Sequence, residues 1–138
     1  MRKSPINIMF VDIDETILSH KNGKNKFDKK SLKCLRLAQE KYGIKVVFAT
    51  GRPYDSALCT GVFNYVNPDA VVSCNGATVC SKGKVIYSDS FTPEHTKQVI
   101  EACNSLGLVV EVATPLERFF TLPRNEYVDG YFKVIQET

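Results

Sequence analysis

With 138 residues the chain can build one ordinary hydrophobic core, but hardly two full domains. Its 43% hydrophobic and 24% charged residues are those of a globular protein and exclude a disordered one. Eighteen Lys and Arg against 15 Asp and Glu leave a net charge of +3, too weak to point to nucleic acid. Met1-Arg2-Lys3 leads straight into a short strand, without a secretory leader or an apolar run of membrane-spanning length, so a cytoplasmic protein with no nucleic-acid or membrane partner is expected.

Ile6 to Val11 is an apolar run that reads as a strand buried on both faces, and it ends in Asp12-Ile13-Asp14. Ser19 to Phe27 reads as a polar, basic loop. Asp28 is placed to cap a helix whose apolar positions Leu32, Leu35, Ala38 and Tyr42 follow the helical period, with Gly43 as its stop. Ile44 to Ala49 is a second buried strand ending at Thr50-Gly51-Arg52-Pro53. Pro53 suits the first turn of a helix over Tyr54 to Tyr65, and Asn67-Pro68 breaks the chain before a third strand, Ala70 to Ser73. A hairpin pairs Thr78 to Cys80 with Val85 to Tyr87, turning at Lys82-Gly83. Thr92-Pro93 opens a helix through Leu106, and Gly107 ends it. Leu108 to Ala113 and Phe119 to Leu122 read as strands of a second unit, with Tyr131 to Ile135 as a third.

The alternation of strand and helix is the signature of a parallel sheet with right-handed crossovers, a Rossmann-like α/β core over residues 1–90. Residues 91–138 form a smaller α/β unit that leans antiparallel. Cys34, Cys59, Cys74, Cys80 and Cys103 are odd in number and contain no C-x-x-C pair, which favours small buried side chains over a disulfide framework or a zinc site. His20 and His95 carry no chemical signal, and His95 falls in a helix's first turn.

In an open parallel sheet the ligand site lies beyond the carboxyl ends of the strands. Three successive strands end there in polar groups: Asp12 and Asp14, then Thr50, then Asn75. Gly51 and Gly76 follow Thr50 and Asn75 and let the backbone approach a ligand. Two carboxylates this close cannot both ionise comfortably without a cation between them or a retained proton, so a divalent metal, a proton-transfer role, or both are expected at Asp12 and Asp14.

These residues carry a family resemblance. Asp12-x-Asp14-x-Thr16, Ala49-Thr50-Gly51-Arg52-Pro53 and Asn75-Gly76-Ala77 resemble the first two motifs and the asparagine-glycine segment of the haloacid dehalogenase superfamily, in its Cof-like branch of phosphatases with an α/β cap. The likeness extends over residues 6 to about 90, and residues 91–138 are similar, more loosely, to the start of that cap. Glu15 stands where glycine is common in the branch.

The resemblance implies a hydrolase in which Asp12 attacks phosphorus to form an aspartyl phosphate and Asp14 serves as general acid and base. Mg²⁺ would bridge the Asp12 carboxylate, the Asp14 main-chain carbonyl and a phosphate oxygen. Thr50 and the N–H groups near it, Gly51 included, would bind the phosphoryl oxygens. Arg52 and Asn75 join them on weaker grounds: Asn75 also reads as the holder of a strand-end turn, and Arg52 as one half of a surface ion pair. Lys21, Lys24, Lys26, Lys29 and Lys30 either gather anionic substrates or form a plain solvated face. Arg118 and Arg124, in the cap, could reach a substrate's polar end, but the sequence does not fix where they point.

The resemblance also implies a small phosphorylated metabolite, such as a sugar phosphate, as substrate. The chain carries no Gly-Asp-x-x-x-Asp-like segment and no later lysine of the kind this family uses, so it looks like an amino-terminal half. A non-catalytic remnant that binds phosphate or a protein partner is therefore a competing reading, and a phosphomutase shares the opening motifs. A receiver-type phosphoacceptor ranks lower, since it wants its Asp where this chain has Ser73-Cys74-Asn75. Without later strands, residues 6–11 would form an exposed edge, open to self-association or to a complementary half.

Overall fold

The computed structural model describes residues 7–21, 24–115, 117–123 and 125–135. Its main sheet is built from β1 (Ile8–Val11), β4 (Lys45–Ala49), β5 (Ala70–Ser73), β6 (Thr78–Ser81) and β7 (Lys84–Ser88), which lie side by side in that order. β1, β4 and β5 run parallel, with Val11 opposite Phe48 and Ala49 opposite Val72. β6 and β7 continue the sheet as an antiparallel hairpin. Two small antiparallel pairs stand outside it: β2 (Leu18–Lys21) with β3 (Lys24–Phe27), and β8 (Glu111–Ala113) with β9 (Arg118–Phe120).

Each parallel step needs a crossover, and the sequence supplies two helices with clear ends. α1 (Lys29–Tyr42) starts where the Asp28 carboxylate accepts the N–H groups of Lys30 and Ser31, and it stops at Gly43 in the left-handed conformation. α2 (Tyr54–Cys59) follows Pro53 and is shorter than predicted: Gly61, at φ +78°, turns the chain into a single 3-10 turn over Val62–Asn64. Leu32 and Leu35 of α1 and Ala57 of α2 pack with Val46, Phe48 and Val71 in one core, so both helices cover the same face of the sheet.

Met9 and Val11 pack against that core from β1. Ile8 and Phe10 point the other way and are 48% and 61% exposed. The expectation of a strand buried on both faces is thus corrected. Among the described residues no element covers the second face of β1, and β1 pairs only with β4, which makes it the edge strand. Ile6, included in the predicted strand, lies outside the described residues.

Two further corrections concern local structure. Ser19 to Phe27 is mostly strand rather than loop, since β2 and β3 pair from Leu18 opposite Phe27 to Lys21 opposite Lys24. Residues 131–135, expected as a strand, belong to α4 (Glu126–Ile135). Asn125 opens that helix: its side-chain oxygen accepts the Val128 N–H and its carbonyl the Asp129 N–H. The predicted strands at 108–113 and 119–122 are present but shorter, as β8 and β9. α3 (Pro93–Ser105) begins as predicted, with the Thr92 hydroxyl accepting the His95 N–H, and it leaves Val99 exposed.

Candidate active site

The carboxyl ends of the three parallel strands lie next to one another. The β1–β4 register carries Asp12 level with Ala49, one residue short of Thr50. From Thr50 to Asn75 the link is direct, because Asn75 N–H donates to the Thr50 carbonyl at 3.3 Å, Cys74 N–H to the Arg52 carbonyl at 3.0 Å, and Thr50 N–H to the Val72 carbonyl at 2.9 Å. The loop after β4 and the turn after β5 therefore form one backbone unit. Asn75 holds that turn at φ +54°, a left-handed position that asparagine tolerates better than most residues. At Gly51 an added Cβ would come within 3.1 Å of the Asn75 Oδ1, so the glycine lets this side chain close over the loop. The buried Thr50 hydroxyl accepts the Arg52 N–H at 3.1 Å, which leaves its own proton free to donate.

Asp12 and Asp14 have different surroundings. Asp12 is exposed, and the Thr16 hydroxyl donates to its Oδ2 at 3.1 Å. Asp14 is held from two sides. Arg52 donates Nε to Oδ2 and an Nη to Oδ1, both at 2.8 Å, in a bidentate fork. His20 Nε2 lies 2.8 Å from the same Oδ1. Burial by itself pushes the Asp14 carboxyl up, and the hydrogen bonds from Arg52 and His20, together with the Arg52 charge, more than offset it, holding the group below the usual carboxylate range.

At Asp14 a cation is present within the chain itself, the guanidinium of Arg52. Its side chain is only 12% exposed, so its ion pair is not the surface pair considered from sequence. Ser56, in the first turns of α2, accepts from Arg52 Nη1 at 3.2 Å and helps to aim the fork. His20, which carried no signal in the sequence, is the functional neighbour that reading missed. The clue to it was Asn22-Gly23, a dipeptide typical of hairpin turns, which would have placed His20 on a hairpin next to the strand end.

Arg118, whose direction the sequence leaves open, is held by two carboxylates: its Nε donates to Asp55 Oδ2 at 2.9 Å, and Nη1 reaches Glu111 at 3.5 Å. Arg124, and the side chains of Lys21 and Lys24, lie outside the described residues. Lys26, Lys29 and Lys30 are exposed. Cys74 sits beside the strand ends, but burial first, and then the Asp55 and Glu111 charges, push its thiol up and keep it protonated. Among the described residues no group of three or more His, Cys, Asp or Glu side chains is gathered to hold a metal ion.

A model of the family described as haloacid dehalogenase-like hydrolase matches residues 9–133. The chain belongs to this family.

Its fold is shared by solved members and neighbours of that family. A hypothetical protein from Geobacillus kaustophilus superposes with a TM-score of 0.79 at 21% identity, covering 96% of this chain and 50% of its own. A haloalkanoate-superfamily phosphatase from Bacteroides thetaiotaomicron gives 0.73 at 24%, covering 95% and 47%, and a subclass IIB sugar phosphatase of the superfamily gives 0.74 at 23%, covering 94% and 49%. Among curated proteins, an uncharacterised hydrolase of Schizosaccharomyces pombe is 24% identical over 98 residues, which are 70% of this chain and 31% of that one. The chain spans about half the length of the solved chains it matches, and less of the curated relative. No helix among the described residues is long and apolar enough to cross a membrane.

Proposed function

We propose that this haloacid dehalogenase-like chain provides the nucleophile and phosphate-binding half of a Mg²⁺-dependent phosphomonoesterase acting on small phosphorylated metabolites such as sugar phosphates. The observation that carries the reading is the contrast between the two carboxylates. Asp12 is open to solvent at the end of β1, with one neutral hydroxyl donor, whereas Asp14 is bound and oriented by Arg52 and His20. An exposed carboxylate suits attack on phosphorus, and a fixed one suits proton transfer.

In this reading an Asp12 oxygen bonds to phosphorus, and the bond from phosphorus to the ester oxygen breaks. The Thr50 hydroxyl and the N–H groups of the Gly51 loop bind the phosphoryl oxygens, with Asn75 closing over that loop. Water then attacks phosphorus, the bond from phosphorus to the Asp12 oxygen breaks to release inorganic phosphate and free the carboxylate, and Asp14, held as a carboxylate by Arg52, accepts the proton of the water. To donate a proton to the leaving alcohol in the first half-reaction, Asp14 must first carry one, which requires it to part from the Arg52 fork. The Asp12 carboxylate and the Asp14 main-chain carbonyl are hard oxygen donors of the kind Mg²⁺ prefers, and the Asp14 carboxylate, occupied by Arg52, is not among them. Bound there, Mg²⁺ would neutralise charge developing on the phosphoryl group.

We read residues 1–90 as the core and the segment from 91 onward as part of a cap, joined to the core by the Arg118–Asp55 pair. A cytoplasmic setting agrees with five free cysteines. The absence, among the described residues, of three or more His, Cys, Asp or Glu side chains gathered to hold a metal ion favours one second reading, a phosphate-binding remnant without turnover. Hydrolysis of p-nitrophenyl phosphate with and without Mg²⁺ separates the two. Slow Mg²⁺-dependent turnover that disappears in Asp12→Asn supports the hydrolase, and turnover that survives Asp12→Asn refutes Asp12 as the nucleophile.

A further inference from the structure

We propose that Glu15 is a positioning residue that acts through His20 to fix the Asp14 carboxylate. The inference rests on the proton-transfer role proposed above for Asp14. It starts from backbone strain. Glu15 has φ +55°, a left-handed conformation in which a side chain is disfavoured and glycine is the default. Strain of this kind next to a reactive group persists only where the surroundings over-determine it.

The surroundings here are specific. Glu15 N–H donates to the Leu18 carbonyl at 2.6 Å, while the N–H groups of Ile17 and Leu18 both turn back to the Ile13 carbonyl, at 3.0 and 2.9 Å. This tight turn brings the exposed Glu15 side chain to the hairpin, where its Oε1 accepts the backbone N–H of His20 at 3.1 Å. The imidazole of the same residue reaches Asp14 Oδ1 at 2.8 Å. The chain of contacts therefore runs from the Glu15 carboxylate to the His20 backbone, and from the His20 ring to Asp14. A glycine at position 15 would permit the turn without strain but could make no such link.

The His20 ring is poised for one role. Arg52 already holds Asp14 as an acceptor, so His20 Nε2 must be the donor. His20 Nδ1 is buried and meets no partner among the described residues, a tolerable position for a bare ring nitrogen and a costly one for an N–H. The hairpin thus delivers a single tautomer, with its proton on Nε2 and aimed at Asp14. Glu15 determines where the hairpin puts it.

The test uses the full chain at one fixed pH, comparing wild type with Glu15→Gln, which keeps an acceptor oxygen, and Glu15→Gly, which removes the acceptor and the strain together. Long-range ¹H–¹⁵N spectra of the His20 imidazole are expected to show one Nε2–H tautomer in wild type and Glu15→Gln, and an averaged pattern in Glu15→Gly. The melting temperature of Glu15→Gly is expected to hold or rise. A more stable protein with a looser ring is not the signature of a merely structural glutamate. With p-nitrophenyl phosphate and Mg²⁺, Glu15→Gly is expected to lower kcat by up to about a hundredfold with KM little changed, and Glu15→Gln to recover it. A wild-type imidazole pattern in Glu15→Gly overturns the proposal, as does an unchanged kcat alongside an averaged ring. If the wild type itself shows no turnover, the hydrolase reading fails, and the imidazole spectra still decide whether Glu15 fixes the ring.

Discussion

Asp69→Ala should destabilise the fold markedly near neutral pH and much less in acid. Asp69 precedes β5, and its carboxylate ties three parts of the core together. Oδ2 accepts the Val46 N–H at 3.0 Å and Gln39 Nε2 at 3.2 Å, and Oδ1 accepts Lys45 Nζ at 2.9 Å. The Asp69 N–H answers the first of these by donating to the Val46 carbonyl at 2.7 Å. Lys45 is largely exposed, so its ion pair contributes at most about 1 kcal/mol. The bond from the Val46 N–H to a charged acceptor contributes about 1.5 kcal/mol and the Gln39 bond about 0.5 to 1. The loss is therefore about 3 kcal/mol, or a fall in Tm of roughly 10 °C for a domain of this size.

The pH dependence has a definite sign. Burial pushes the Asp69 carboxyl up, but Lys45, the Val46 N–H and Gln39 together bring it below its ordinary value of 3.8. A carboxyl with a lower pKa in the folded state adds stability above the unfolded value, and that contribution disappears as pH falls through the folded one. Thermal unfolding of wild type and Asp69→Ala, followed by circular dichroism from pH 7 down to pH 3, should show a gap that is widest near neutrality and narrows below about pH 4. A gap of equal width at both ends would refute the argument from charge, and no gap at pH 7 would refute the whole network.

Gly51→Ala should cost about 1 kcal/mol in urea unfolding, because its Cβ would meet Asn75 Oδ1 at 3.1 Å and push that side chain off the loop; an unchanged midpoint would show that Asn75 does not depend on Gly51. The edge and face of β1 that the described residues leave uncovered should make the chain associate as concentration rises, and Phe10→Lys should reduce this. Size-exclusion chromatography with light scattering checks it, with a stable monomer at all concentrations as the contrary result.

What could be read from the sequence was whatever local chemistry determines. Asp28 and Gly43 bound α1, Pro53 and Thr92-Pro93 open α2 and α3, and the order of strands and helices led to the parallel sheet, because caps, prolines and apolar runs act within a few residues. The misreadings have local causes too. Lysines at both ends of the Asn22-Gly23 dipeptide hid the alternation of β2 and β3, and a five-residue segment such as 131–135, with four apolar residues around Lys133, is too short to have a period that separates strand from helix. The partners of Asp14 were out of reach for a different reason. Arg52 is 38 positions away, and which carboxylate its fork meets depends on the sheet register and not on any motif. The convergence of the strand ends was legible, whereas the different surroundings of Asp12 and Asp14 were not.

The strand order has a kinetic side. β1 is made before β4, its only described partner, and Ile8 must wait for Lys45 before it can pair across that edge. At the roughly 5 to 20 residues per second of protein synthesis, that wait is a matter of seconds. During it an uncharged IMFV segment is exposed with both edges open, while β2 with β3, and β6 with β7, can each zip up as local hairpins in microseconds. The slow step of folding should therefore be the docking of β1 onto β4, the event that carries Asp12 to the end of β4 and completes the site.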